Sequence, residues 1–174
     1  TAPLQIGLLI FPKVTQLDFT GPLQVFARVP GAPVHLIWKR IEPVPSDSVL
    51  TLTPTVTFAD CPQLDVICVP GGAGTDDLVN DEETLDFLRK QATGARYVTS
   101  VCTGSLVLVA AGWRRGYRAT THWESLDSFR EAFPQVDVEN ALFVIDRNRL
   151  SCAGGTAALD MMLHLISLQH GHGL

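Results

Sequence analysis

The sequence predicts an α/β fold, a three-layer sandwich in which helices cover a mainly parallel central sheet. Short apolar runs alternate along the chain with longer segments whose apolar residues have helical spacing. Three of the short runs are almost continuously apolar, as strands buried on both faces are. The 174 residues have about the length of one domain, and we expect residues 1–174 to form a single unit.

The predicted elements alternate from the first residues onward. Apolar runs predict strands at residues 5–11, 34–38, 66–69 and 97–100. Helical spacing predicts helices at residues 21–29, 82–92, 103–111, 125–133 and 156–168, with Asn80 and Glu83 as a capping box before the second. Residues 51–57 alternate as in an edge strand or hairpin arm, and residues 146–148 are typical of a turn between strands at 142–145 and 149–152.

Composition and charge argue against several classes of function. The chain is 46% hydrophobic and 18% charged, without a membrane-spanning stretch or a signal peptide, so we expect a soluble cytoplasmic protein. The net charge of -5 gives no attraction to nucleic acids or anionic membranes, which leaves a small molecule as the expected partner. The four cysteines lack paired CxxC spacing, so neither a zinc site nor a disulfide framework is expected.

The strongest local signal for chemistry is Cys102, in the sequence SVCTGS. A predicted apolar strand ends there among small residues and a predicted helix begins, which resembles the nucleophile elbow of hydrolases. The N–H groups of the new helix favour a thiolate, so the pattern predicts a reactive cysteine with a depressed pKa. The alternative is a buried and inert core cysteine.

Asp18 and a glycine-rich loop follow two other predicted strands. Asp18 either caps the helix that starts near Thr20 or Pro22, or points into the site as a proton donor or acceptor. Gly71 and Gly72 allow backbone N–H groups to approach an anionic intermediate, although tight turns also need glycine.

His122 follows Cys102 by 20 residues and either orients or deprotonates the thiol, or is a structural histidine beside Trp123. The other histidines give weaker signals. His35 and His164 are interpreted as packing residues, and His170 and His172 form only a weak metal-like pair.

Four segments together resemble the ThiJ/PfpI superfamily, of the class I glutamine amidotransferase-like type: LDFTGP, VPGG, SVCTGS and ATTHW, at residues 17–22, 69–72, 100–105 and 119–123. The resemblance implies a flavodoxin-like sheet and a homodimer. Within the superfamily the chain is most similar to isocyanide hydratases, which have Asp where many relatives have Glu. That resemblance assigns catalysis to Cys102 and Asp18, a bond from Thr103 to the Asp18 carboxylate, and binding of the intermediate to the backbone of Gly71 and Gly72.

The implied reaction is the hydration of an organic isocyanide to an N-substituted formamide through a thioimidate, by a hydro-lyase without metal or organic cofactor. A second resemblance gives an alternative function. Residues 138–146 and 152–160 resemble the amino-terminal sensing domain of AraC-type transcription regulators, which binds a ligand without turning it over. A cysteine hydrolase, deglycase or chaperone, and a redox sensor at Cys102, are further alternatives.

Overall fold

The computed structural model describes residues 3–112, 118–119, 126–132, 134, 137–138, 143–154 and 157–170. The described strands are β1 Ile6–Leu9, β2 Val34–Trp38, β3 Val44–Pro45, β4 Thr51–Leu52, β5 Val56–Thr57, β6 Val66–Val69, β7 Tyr97–Val101, β8 Arg118–Ala119, β9 Asp137–Val138, β10 Phe143–Asp146 and β11 Arg149–Cys152. The described helices are α1 Gln16–Phe26, α2 Thr75–Leu78, α3 Glu82–Gly94, α4 Gly104–Ala110, α5 Leu126–Ala132 and α6 Ala157–His170.

A seven-stranded sheet forms the middle of the molecule, in the order β10-β11-β7-β6-β1-β2-β5. Every neighbouring pair in it is parallel except β10 with β11. All residues of β1 and β6 are buried, which explains why their sequences are continuously apolar. The predicted mainly parallel α/β sheet is therefore confirmed.

Two groups of helices complete the layers. Helix α1 packs against α6, whereas α3 packs against α2 and α4. Each group contributes apolar side chains to one core, and burial of such a side chain stabilises a fold by about 1.5–3 kcal/mol. None of the helices in the described residues is both long and apolar enough to cross a membrane.

Helix α1 begins five residues before the predicted start at residue 21. Gly21 and Pro22 usually mark a helix boundary, but Pro22 lies inside α1. The helix continues through it because Phe19, Pro22 and Phe26 are all buried, so packing outweighs the missing backbone hydrogen bond. The prediction for this boundary was wrong because it used local propensity alone.

Two further local predictions differ from the structure. Asp81, rather than Asn80, is the N-cap residue of α3, and its carboxylate accepts a hydrogen bond of 2.9 Å from the Thr84 hydroxyl. Residues 51–57 form two strands instead of one: β4 pairs with β3, and β5 adds an edge strand beside β2. The predicted β10–β11 hairpin is confirmed, with Arg147 at a φ of 58° in its turn.

Strands β1, β6 and β7 are parallel neighbours, so their carboxyl ends meet at one edge of the sheet. Three segments leave the sheet there: the loop before α1, the glycine-rich loop at residues 70–74, and the turn between β7 and α4. The topology therefore brings the candidate residues of three distant segments to one place.

Candidate active site

Cys102 lies on a sharp turn between β7 and α4, as the sequence predicted. Its φ of 54° is in the left-handed region, which non-glycine residues seldom adopt. A backbone hydrogen bond to the neighbouring strand stabilises the turn: the Cys102 N–H donates to the carbonyl oxygen of Cys152 on β11 at 2.9 Å. The side chain is only partly buried. This geometry presents the thiol at the carboxyl edge of the sheet.

Asp18 lies in the first turn of α1 and is 3% exposed. The N-cap position belongs to Thr15, so the interpretation of Asp18 as the cap of a helix starting near Thr20 or Pro22 is wrong. One oxygen of the carboxylate, Oδ2, accepts a hydrogen bond of 3.2 Å from the backbone N–H of Gly71. The structure thus joins Asp18 to the glycine-rich loop.

The glycine-rich loop lies directly against the Cys102 turn. A methyl group on Gly71 would lie 2.8 Å from both the Cys102 Cβ and the Thr103 backbone nitrogen, which is too close for any larger residue. The N–H of Gly71 donates to Asp18, and the N–H of Gly72 donates to the Thr103 hydroxyl at 3.0 Å. In this structure the two N–H groups therefore position side chains of the site.

Thr103 contacts the glycine-rich loop through its hydroxyl. Besides the bond from the Gly72 N–H, the Thr103 Oγ1 lies 3.4 Å from the Gly72 carbonyl oxygen and 3.2 Å from the Thr75 Oγ1. The bond from Thr103 to the Asp18 carboxylate, which the resemblance implied, stays a prediction beside the hydrogen bond from Gly71.

The pKa of Cys102 is raised from an ordinary value of 9.0 to about 11, first by burial and second by the negative charge of Asp18. Hydrogen bonds from the Thr103 backbone N–H and hydroxyl lower the pKa without compensating. The prediction of a depressed pKa was therefore wrong, because desolvation and a like charge outweigh the helix N–H groups. At neutral pH the resting side chain is a thiol, and a base must remove its proton before it acts as a nucleophile.

Gly154, which follows β11, completes the space around the thiol. Its φ of 114° is unfavourable for other residues, and a methyl group there would lie 3.7 Å from both the Cys102 Sγ and the Asp18 Oδ1. The sequence analysis missed this residue. The run AGGT after the last strand contained the signal, because glycine is the usual residue where the backbone adopts a positive φ or approaches a ligand closely.

Thr75 is the second residue that the sequence analysis missed. It is 2% exposed, and its hydroxyl donates a hydrogen bond of 2.8 Å to the Gly72 carbonyl oxygen. No sequence pattern distinguishes this threonine from an ordinary N-terminal helix residue.

The histidines contribute nothing to the contacts described so far. His122 lies outside the described residues. His35, in β2, lies 2.9 Å from the Gln5 side chain. His164 is exposed on α6, so its interpretation as a packing residue was wrong. All four cysteines are free thiols, and the described residues contain no group of three or more His, Cys, Asp or Glu side chains placed to hold a metal ion.

Residues 5–168 match the DJ-1/PfpI family, whose other name is ThiJ/PfpI. This chain belongs to the DJ-1/PfpI family. The match covers nearly all of the described strands and helices, so the resemblance inferred from four short segments is confirmed for the chain as a whole.

The proteins to which this chain is similar include an enzyme and a transcription regulator. Isonitrile hydratase from Pseudomonas putida is 54% identical over 165 residues, which are 93% of this chain and 70% of that protein. The regulator GbdR from Pseudomonas aeruginosa, of the HTH type, is 37% identical over 99% of this chain. The chain spans 48% of the length of GbdR, and the similarity extends well beyond the two segments that first indicated a regulator.

Among solved structures, a THiJ/PfpI family protein from Pseudomonas syringae has a TM-score of 0.90 and 41% sequence identity. The match covers 95% of this chain and 69% of that one. The DJ-1/PfpI sheet and its helical layers are therefore the fold of this chain.

Proposed function

We propose that this DJ-1/PfpI domain is an isonitrile hydratase, which adds water to an organic isonitrile and releases an N-substituted formamide. The observation that carries the proposal is that the Cys102 thiol and the Asp18 carboxylate face one space above Gly154. The 54% identity to isonitrile hydratase from Pseudomonas putida supports the choice of substrate.

In the first half of the reaction Asp18 takes the proton of the Cys102 thiol. The thiolate forms a carbon–sulfur bond with the terminal isonitrile carbon, and Asp18 returns the proton to that carbon, giving the thioimidate R–N=CH–S–Cys. One proton moves from sulfur to carbon, so no redox partner is needed. The raised pKa of Cys102 is compatible with these steps, because it keeps on the resting thiol the proton that is later transferred to the isonitrile carbon.

In the second half water adds to the thioimidate carbon, with Asp18 moving a proton from water to the nitrogen. The carbon–sulfur bond of the resulting adduct then breaks. The hydroxyl proton returns to sulfur by way of Asp18, and R–NH–CHO leaves. The sum is one isonitrile and one water converted to one formamide, with Cys102 and Asp18 restored.

The bond from Gly71 to the Oδ2 of Asp18 supports this assignment of roles. It engages one carboxylate oxygen, whereas the other oxygen, Oδ1, lies as near as the Cys102 Sγ to the position of a methyl group on Gly154, 3.7 Å away. A carboxylate held in this way is oriented for proton transfer at one atom.

The test is incubation of the reduced protein with an alkyl or aryl isonitrile while the formamide is quantified by mass spectrometry. We expect multiple turnovers with wild type and none above background with Cys102→Ala. Cys61→Ala is the matched control, because Cys61 is also partly exposed with a pKa raised to about 11 but precedes β6, away from the site. Turnover that survives Cys102→Ala, or that is absent from folded wild type, contradicts the proposal.

The similarity to GbdR supports a second candidate function, a ligand-sensing domain of a transcription regulator. This candidate requires stoichiometric binding of a small molecule without product. Calorimetry with the isonitrile and with its formamide separates the two functions, since an enzyme consumes the first compound during the titration.

A further inference from the structure

Thr75 connects the glycine-rich loop to the residue that follows the nucleophile. Its side chain is buried at the start of α2, where a hydroxyl needs hydrogen-bond partners. Its two partners are both in the candidate site: the Gly72 carbonyl oxygen at 2.8 Å and the Thr103 Oγ1 at 3.2 Å. Thr75 itself is one step further from Cys102 than Thr103 is.

The Thr103 hydroxyl has one proton and two acceptor positions. The Gly72 N–H fills one acceptor position at 3.0 Å. The Thr75 hydroxyl donates to the Gly72 carbonyl oxygen at 2.8 Å and shares the same proton with the Thr103 Oγ1 at 3.2 Å, which occupies the second acceptor position. The Thr103 hydroxyl is then left to donate its own proton to the Cys102 sulfur. The buried Thr75 hydroxyl therefore helps to direct the Thr103 proton toward the nucleophile.

Donation from Thr103 matters to the nucleophile. Its hydroxyl and its backbone N–H are the two groups that lower the pKa of Cys102, against burial and the Asp18 charge. A hydroxyl that accepts two hydrogen bonds is also a stronger donor, since neighbouring hydrogen bonds polarise one another.

We propose that Thr75 is a positioning residue, which acts through Thr103 to stabilise the thiolate of Cys102 when it forms. This inference rests on the nucleophilic role proposed for Cys102. It assigns a function to a residue 27 positions before Cys102 in the sequence.

The test compares two pairs of proteins, each differing by one hydroxyl. Thr75→Val is compared with wild type, and Thr75→Ala with Thr75→Ser, so that the second pair replaces the first if Val does not fold. The readout is the pulse alkylation rate of Cys102 by iodoacetamide as a function of pH, measured on the Cys102 peptide by mass spectrometry. This readout does not require isonitrile turnover. A negative result for Thr75 can therefore be distinguished from an absence of hydratase activity.

We expect loss of the hydroxyl in either pair to move the titration midpoint of Cys102 upward by about half a pH unit, which is about a threefold slower alkylation below the midpoint. Thr75→Ser should keep the wild-type midpoint. In a Thr103→Val background, Thr75→Val should cause no additional shift, because the residue through which it acts is gone. Unchanged midpoints in both pairs, or equal shifts for Ser and Ala, would overturn the proposal.

Discussion

Asp18 and Cys102 meet over Gly154: the Oδ1 of one and the Sγ of the other lie at the same distance, 3.7 Å, from the position of a methyl group on that glycine. The two residues are 84 positions apart in the sequence, and an α1 residue and a turn after β7 are brought together only by the parallel order of the strands. Two predictions concern the environment that these residues share, and two more concern the other cysteines and Asp81.

Replacing Asp18 with Asn should separate thiol reactivity from turnover. The Asp18 charge raises the pKa of Cys102, so its removal lowers that pKa, and alkylation of Cys102 below its midpoint should become about two- to tenfold faster. Isonitrile turnover should fall by about a factor of 10²–10⁴, because the proton carrier is lost. Alkylation of Cys61 in the same sample is the control. A parallel decrease in both rates would contradict this assignment of the charge.

Gly154→Ala should block the space shared by the two groups. We expect a loss of about 1–3 kcal/mol in the free energy of unfolding from the φ of 114°, together with about a tenfold or greater loss of Cys102 alkylation. Gly112→Ala is the matched control, since Gly112 has the same φ and no described atom lies within 4 Å of its added methyl. Equal losses of alkylation in both variants would show that strain alone is responsible.

The four thiols should divide into two classes in the folded protein. Cys61 and Cys102 are partly exposed, whereas Cys68 and Cys152 are buried, and burial raises the pKa of Cys68 to about 12. A titration with a disulfide reagent should therefore modify two thiols in the native protein and four in denaturant. Cys61→Ser should reduce the native number to one. Modification of all four without denaturant would mean that the β6–β7–β11 region opens readily.

Asp81 should contribute to stability at neutral pH but not in acid. Burial raises the pKa of this carboxyl, but hydrogen bonds from Lys39 and Thr84 and the Lys39 charge lower it overall. Because the folded pKa is the lower one, the contribution is complete above the ordinary value of 3.8 and is lost as the pH falls through the folded value.

We therefore expect Asp81→Asn to reduce the free energy of unfolding by about 1 kcal/mol at neutral pH and to have a smaller effect in acid. Urea denaturation at both pH values provides the measurement. Asp86→Asn, at an exposed ion pair of the same helix, is the control, and it should cost less at neutral pH. An Asp81→Asn effect that is equal at both pH values would contradict the linkage.

Much of the fold was predictable because its signals are local. Strand β6 is four apolar residues buried on both faces, and Arg147 lies in a turn whose polar sequence is conspicuous between two strands. The start of α1 was not predictable in the same way. Its stability depends on Phe19, Pro22 and Phe26 reaching the core, which no propensity at Gly21 or Pro22 indicates.

The candidate site was only partly predictable for a related reason. Strand ends and small residues identified Cys102, Asp18 and Gly71, because position at a sheet edge follows from the order of the elements. The pKa of Cys102 depends on burial and on the distance to Asp18, which are properties of the assembled molecule. Thr75 and Gly154 likewise acquire a role only from neighbours distant in sequence.

A thiol that stays protonated until a substrate arrives also resists chemical damage. Peroxides and stray electrophiles react with the thiolate, and at neutral pH a Cys102 with a pKa of about 11 offers very little of it. The Cys102 thiol is therefore oxidised only slowly while no substrate is bound, whereas a permanently ionised cysteine would accumulate sulfinic and sulfonic acids. The same burial that slows the resting nucleophile would thus lengthen the working life of the protein.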